Sequence, residues 1–140
     1  MENLNILIAA TVAMVVLTLF FVVFGKGGGR GGVVVSRVTA DLRPIDPEFK
    51  RCRPEAKYST FQEGKPHKID IEIENLPLQP GEVLSFYINR QLLANVEVER
   101  DREAEFEHWS DGDVPFPQIN AGDQLDVVYQ NKAVMSGIFN

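Results

Sequence analysis

Hydrophobic residues follow one another without a charged side chain near the start of the chain, over the nineteen residues 6–24. An α-helix of that length spans roughly 29 Å, which matches the hydrocarbon core of a bilayer. The run is apolar on every side, so we predict a transmembrane anchor over residues 1–24, which includes Ile6, Leu17, Phe20 and Phe24. A cleaved signal peptide is the alternative. It is disfavoured because Glu2 stands where a cation is usual and bulky residues fill positions 20–24.

Glycine fills six of the eight positions in residues 25–32, which predicts a flexible linker after the anchor. The two other residues of this segment are Lys26 and Arg30, and cations at this place are typical of the lipid headgroup region. Lysine and arginine are found after the anchor and are missing before it. This asymmetry favours a single-pass protein of the bacterial inner membrane with its domain on the cytoplasmic side, although the periplasmic side stays open.

From Val33 onward the hydrophobic pattern changes to period two, which is typical of half-buried β-strands. The clearest example is residues 68–74, where three isoleucines alternate with charged side chains. Asn89-Arg90 reads as a hairpin tip, and residues 130–132 read as another turn. We therefore predict an all-β antiparallel sandwich or small barrel over residues 33–140, joined mostly by hairpins and without a helix. Its eight strands are predicted at residues 33–42, 56–61, 68–74, 83–88, 92–99, 104–109, 125–129 and 133–139.

Charge is distributed unevenly along this acidic chain, whose formal net charge is −6. Residues 37–68 hold eight basic and five acidic side chains, whereas residues 69–140 hold four basic and fourteen acidic ones. An acidic domain lacks the basic face that phosphate contacts need, so we expect no nucleic-acid binding. The acidic strand positions favour a solvated face, with a docking surface for a basic partner as the alternative.

Residues that carry chemistry are sparse, and we predict neither an enzyme nor a cofactor site. Cys52, His67 and His108 fall on separate predicted elements, which disfavours a zinc site or a cysteine nucleophile. Arg51 and Arg53 flank Cys52 and would lower its pKa if their charges dominated. Asp111-Gly112-Asp113, with Asp123 beyond, resembles a loose calcium loop but lacks an acid at its twelfth position. Calcium therefore stays an alternative, and no small-molecule ligand is indicated.

Two segments are candidates for contacts with other molecules. Trp109, Pro115, Phe116 and Pro117 bring aromatic rings and prolines into a loop that is otherwise polar. This pattern leaves two interpretations, capping of the core and binding of a partner. The second segment is basic. Together with the two linker cations it predicts contacts with lipid headgroups, at Lys26, Arg30, Lys50, Arg51 and Arg53. A solvated loop is the alternative for Lys50, Arg51 and Arg53.

Three short motifs resemble those of a small bacterial all-β module of unassigned function that lies behind a membrane anchor. They are E-x-E-N-L-P at residues 72–77, V-P followed by A-G-D within residues 114–123, and S-G-x-F at residues 136–139. The resemblance covers roughly residues 38–140, and it implies a fold without implying an activity. One departure is Asn89-Arg90, where such modules place Asn-Gly.

Anchor, linker and β domain together predict a structural or accessory subunit, or a protein-interaction module, of a larger membrane complex. Integral membrane proteins and the lipid bilayer are its expected partners. The alternative is a membrane-tethered module that binds calcium or another ligand.

Overall fold

The alternating segments form β-strands throughout the computed structural model, which describes residues 32–140. Nine strands lie in this part of the chain, at Val34–Ala40 (β1), Arg43–Pro44 (β2), Arg53–Phe61 (β3), Lys68–Glu74 (β4), Val83–Ile88 (β5), Gln91–Glu97 (β6), Ala104–Trp109 (β7), Gln124–Tyr129 (β8) and Lys132–Ile138 (β9). The predicted anchor and linker, with Ile6, Leu17, Phe20, Phe24, Lys26 and Arg30, lie outside the described residues. Within residues 32–140 there is no helix with the length and apolar character that crossing a membrane requires.

The strands make two antiparallel sheets. The four-stranded sheet has the order β1-β3-β4-β7, and the five-stranded sheet has the order β2-β9-β8-β5-β6. Alternation directs buried apolar side chains to one side of each sheet, and these two inner sides pack on each other as a sandwich. The all-β antiparallel prediction is confirmed, and of its two forms the sandwich is the one observed.

Isoleucine side chains at every second position of β4 form the centre of the core. Ile69, Ile71 and Ile73 have no solvent exposure, and the five-stranded sheet supplies equally buried Leu84 and Phe86 from β5. Burying a side chain of this size contributes about 1.5–3 kcal/mol, so these rows account for much of the driving force for folding. Across the described residues every buried side-chain nitrogen or oxygen has a hydrogen-bond partner.

Two tight turns hold the hairpins of the five-stranded sheet. Asn89 and Arg90 join β5 to β6 with φ angles of 48° and 67°, and Gln130 and Asn131 join β8 to β9 with 49° and 63°. Positive φ at both central residues is the requirement of a two-residue type I′ turn, whose twist suits the flanking strands. The predicted hairpin tip at Asn89-Arg90 is confirmed.

Other connections differ from the predictions. Three of the eight strand connections in residues 32–140, β3–β4, β5–β6 and β8–β9, stay within one sheet, and the other five cross between sheets. The expectation of mostly hairpin connections is therefore wrong, because a sandwich needs crossings to bring both sheets over one core.

The first predicted strand, residues 33–42, is divided in the structure. β1 ends at Ala40, and β2 belongs to the other sheet. At the crossing, the chain passes so close to Gly137 that a Cβ there would lie 2.6 Å from the carbonyl oxygen of Asp41. A 3-10 helix also follows at Pro47–Phe49, against the expectation of no helix, because Asp46 accepts a hydrogen bond from the backbone N–H of Glu48 at 3.0 Å and caps it.

Candidate interaction surfaces

Carboxylates dominate the outer side of the four-stranded sheet. Glu72 of β4 lies in register with Glu55 of β3 on one side and with Glu105 of β7 on the other. Asp70 lies opposite Glu107 in the neighbouring row. Like charges directly opposite each other across two strands are destabilising. We name this surface the acidic face, made of Glu55, Asp70, Glu72, Glu74, Glu105 and Glu107.

Proton binding and neighbouring cations relieve this repulsion, and two of the cations are Lys57, 2.7 Å from Glu55, and Arg53, 3.2 Å from Glu74. A hydrogen bond with Glu107, followed by burial, raises the pKa of Glu105 to about 7. The ammonium of Lys68 lies 2.6 Å from Glu107 and, by its hydrogen bond, lowers the pKa of that carboxyl. Burial and the charge of Glu107 raise the pKa of Asp70. The charge of the acidic face therefore changes close to neutral pH.

Three groups of carboxylates within residues 32–140 are compact enough to share a cation, with ligand atoms within 4.8 Å of one another. Two lie on the acidic face and its margin (Asp70, Glu105 and Glu107; Glu72, Glu74 and Glu103), and the third is Glu99, Asp101 and Glu103. None contains Asp111, Asp113 or Asp123, the residues that resemble a loose calcium loop in the sequence. Asp123 accepts hydrogen bonds from the side chain of Asn89 at 3.0 Å and from the backbone N–H of Asn120 at 2.7 Å, so it organises a turn.

The outer side of the five-stranded sheet has a different chemistry. Ile45 and Val83 are 56% and 48% exposed there. Half-buried Tyr87 and Val128 lie between them and line two shallow depressions, of about 570 and 380 Å³. Ile138 at the end of β9 is also exposed. We name this surface the apolar face, made of Ile45, Val83, Tyr87, Val128 and Ile138. Scattered polar residues such as Ser85 and Asp126 lie among these side chains.

A third surface lies where the described chain begins. Val33 and Val35 are 65% and 67% exposed, and Val34 pairs with Phe61 at the end of β3. The ring of Phe61 stacks on Trp109, with 5.4 Å between centroids, and the ammonium of Lys68 lies 5.6 Å from the Trp109 ring centre. A cation at this distance over an indole ring is attracted by it. We name this surface the entry end, made of residues 33–35, Phe61, Lys65, Lys68 and Trp109.

The predicted partner loop is divided between two environments. Trp109 belongs to the entry end, on the outer side of β7. Phe116 is half-buried and packs against the core, next to buried Ile119. Pro115 and Pro117 are exposed, and Pro117 lines a separate groove with Leu92. The structure thus does not gather Trp109, Pro115, Phe116 and Pro117 into one surface, and Phe116 fits the alternative of a core cap.

The predicted basic segment lies at the opposite end of the four-stranded sheet from Val33. Lys50 and Arg51 precede β3, and Arg53 begins that strand, pairing with Glu74 at 3.2 Å. β3 ends at Phe61, so Arg53 is roughly 26 Å from the entry end at 3.3 Å per residue. Contact of these three residues with lipid headgroups stays a prediction.

The residues considered for catalysis lie in structural positions. Burial raises the pKa of the Cys52 thiol to about 11, so the charges of Arg51 and Arg53 do not dominate it. His67 hydrogen bonds through its Nδ1 to the hydroxyl of Tyr58, and the ring of His108 packs against Phe106 with 4.5 Å between centroids. A protonated, half-buried thiol is a poor nucleophile.

Comparison with protein-family models and with curated proteins gives no match to this chain. The three resemblance motifs occupy structural positions. Asn75, in the first motif, takes a φ of 57° as the chain leaves β4, and Gly122 takes 95°. Gly137 gives room for the crossing at Asp41, and Phe139 is fully buried. The resemblance to an all-β module itself stays a prediction.

The apolar face was not predicted from the sequence, although one signal was present. In β5 the exposed Val83 and half-buried Tyr87 alternate with buried Leu84 and Phe86, so apolar residues appear at both odd and even positions. Such a strand is apolar on both sides, which differs from the clean alternation of β4.

Proposed function

We propose that this protein is a protein-interaction module, held at a bacterial inner membrane by its N-terminal segment and serving as an accessory subunit of a larger membrane complex. The observation that carries the proposal is the apolar face. It is a set of exposed and half-buried apolar side chains on the outer side of an antiparallel sheet, in a domain that already has a buried core.

The shape of this face favours a protein over a small molecule. Small ligands are bound in concave sites that bury most of their surface. The depressions around Tyr87 and Val128 are shallow and open, and both are lined by Tyr87, Val128 and Asn131. Exposed apolar patches rimmed by polar residues are typical of protein interfaces. Ser85, Gln124 and Asp126 lie among the apolar side chains of this face and supply hydrogen-bonding groups to it.

The apolar run over residues 6–24 supports attachment to the membrane. Restricting the domain to a membrane raises its effective concentration near integral membrane partners, so an interface of moderate area suffices. The cytoplasmic side remains our proposal for the domain, from the cations that follow the apolar run.

A tethered calcium-binding module is the second candidate. Its support is the set of compact carboxylate groups on the acidic face, since oxygen ligands suit calcium. Calcium takes six to eight oxygens, however, and exposed acidic groups are common in proteins without any ion. We therefore place the interaction module first. A calcium titration followed by thermal unfolding separates the two, because a ligand that binds the folded state raises the unfolding temperature.

The test is extraction of the tagged full-length protein in mild detergent, followed by size separation and mass spectrometry. We expect an integral membrane protein to co-purify in stoichiometric amount. The double variant Val83→Glu/Ile45→Glu places charge on the apolar face at exposed positions, so we expect it to fold normally and to lose this partner.

The matched control is Thr39→Glu, which adds a carboxylate at an exposed position on the outer side of the four-stranded sheet. It should retain the partner. A monomer under gentle extraction would contradict the accessory-subunit role. A partner that survives the double variant would contradict the assignment to the apolar face.

A further inference from the structure

We propose that the entry end of the domain docks on the surface of the phospholipid bilayer that holds the chain. Valines 33–35 and the Phe61–Trp109 pair would lie at the boundary between headgroups and acyl chains. This inference rests on the N-terminal segment being a membrane anchor. It goes further by assigning the domain one orientation and one lipid-facing surface.

The position of the tether is the first reason. Eight residues, 25–32, separate the apolar run from Val33. Fully extended they reach roughly 28 Å, and as a flexible glycine-rich coil roughly 15 Å. The entry end begins at Val33 itself, so it is the part of the domain that the tether keeps nearest the bilayer.

The second reason is the chemistry of the exposed side chains. Valines 33, 34 and 35 are consecutive and exposed, so both sides of the chain are apolar where β1 begins. The register pairs Val34 with Phe61, which stacks on Trp109. Tryptophan is enriched at membrane–water interfaces, where an apolar ring with a polar N–H suits the headgroup level.

The third reason is the local balance of charge. Lys65 and Lys68 lie at the entry end. Two carboxylates are also found there, Glu63 on the loop after β3 and Asp111 on the loop after β7. The acidic face begins only one row further along the strands, at Asp70 and Glu107. Because Glu63 and Asp111 balance the charges of Lys65 and Lys68, docking at the entry end depends on apolar and aromatic contact. It should therefore depend little on anionic lipid or salt. Docking by Lys50, Arg51 and Arg53 would show the opposite behaviour.

Trp109 makes a direct test available because it is the single tryptophan of the chain. Full-length protein is reconstituted into phosphatidylcholine vesicles, with or without bromine on the acyl chains near the headgroups. We expect brominated lipid to reduce the emission of Trp109, equally in low and high salt and with or without added phosphatidylglycerol. Unchanged emission would overturn the docking proposal.

Two variants complete the test. Trp109→Phe/Lys50→Trp moves the tryptophan to the basic segment at the far end, where we expect no quenching. Quenching there would reverse the proposed orientation and overturn the proposal. Val33→Asp/Val35→Asp changes two exposed side chains, so the unfolding temperature should be unchanged while the quenching of Trp109 is lost. Quenching that persists in this variant would exclude the valines as the docking surface.

Vesicle flotation separates failure of the docking from failure of the anchor. Protein that floats with vesicles but shows no quenching overturns the docking alone. Protein that does not float overturns the membrane anchor and the docking together.

Discussion

The two outer sides of the sandwich enclose the same core and present different surfaces to their surroundings. On the four-stranded sheet, Glu55, Glu72 and Glu105 form one continuous row of carboxylates across three strands. On the five-stranded sheet, Ser85 and Val128 occupy a comparable row, and Tyr87 and Asp126 occupy the next. The inner faces must be apolar because they form the core. The outer faces are free of that restriction, so side chains that serve function can differ there.

The two surfaces should respond differently to pH and to ionic strength. Repulsion between exposed carboxylates is screened by salt and removed by protonation, so the acidic face changes with pH and ionic strength. Contact through apolar side chains is insensitive to both. A partner bound through the apolar face should therefore stay bound in high salt.

Loss of the contact that Phe139 makes between the two sheets should lower the free energy of unfolding most. Both outer surfaces depend on this contact because it holds the sandwich together. Phe139 has no solvent exposure and bridges to Ala40, so it connects the end of β9 to β1 of the other sheet. We expect Phe139→Ala to lower the free energy of unfolding by about 3–5 kcal/mol, measured by urea denaturation. Ile138→Ala, at the exposed neighbour, should cost less than about 1 kcal/mol. Equal effects would contradict this role of Phe139.

A smaller loss is expected where the chain crosses between the sheets. A Cβ at residue 137 would lie 2.6 Å from the Asp41 carbonyl oxygen, and backbone has little freedom to give way. We expect Gly137→Ala to destabilise the domain by about 1–3 kcal/mol in the same measurement. A neutral result would mean that the crossing shifts freely, and that the two sheets are less tightly coupled than the distance indicates.

A gain is expected at the β5–β6 turn, at the margin of the apolar face. Arg90 has a φ of 67°, a conformation that costs an ordinary residue about 1 kcal/mol and costs glycine little. Arg90→Gly should therefore raise the free energy of unfolding by about 0.5–1 kcal/mol. Arg100→Gly is the control because Arg100 does not have a positive φ. This substitution should not raise the free energy of unfolding.

The smallest expected effect is a pH dependence of stability that comes from the acidic face and not from the apolar face. The pKa of Glu105 is about 7 in the folded domain, above its ordinary value of 4.5. The folded state therefore binds this proton more tightly than the unfolded state, and the resulting stability is lost as pH rises from about 4.5 through 7. Glu105→Gln should stabilise the domain at pH 8 by about 0.5 kcal/mol and show a weaker decline between pH 5 and pH 8.

Glu97→Gln is the matched control for that change. Glu97 lies on the five-stranded sheet opposite Val83, without a carboxylate across from it. Its substitution should leave the pH dependence of stability unchanged. A similar response in both variants would show that overall charge, and not the row of opposed carboxylates, determines the pH dependence.

Local patterns predicted the strands well where alternation was clean. The bounds predicted for β4, β5 and β7 agree with the structure, because each has buried residues at every second position and a turn at its end. The division between β1 and β2 was missed. It depends on the close approach of Asp41 to Gly137, a contact between residues far apart in the chain.

The candidate surfaces were less predictable for the same reason. Trp109 and Phe61 are 48 positions apart in the sequence and meet only through strand pairing. Phe116 and Pro117 are adjacent, yet one packs on the core and the other is exposed. Sequence spacing shows which side of its own strand a residue occupies, but not which strands become its neighbours.

The row of opposed carboxylates also determines how copies of this protein behave toward each other. Two acidic faces that approach within a Debye length, about 8 Å at physiological ionic strength, repel each other at pH 8. Their osmotic second virial coefficient should be positive there. As Glu105 and Asp70 take up protons this coefficient should fall, so mild acid should bring the molecules closer to association.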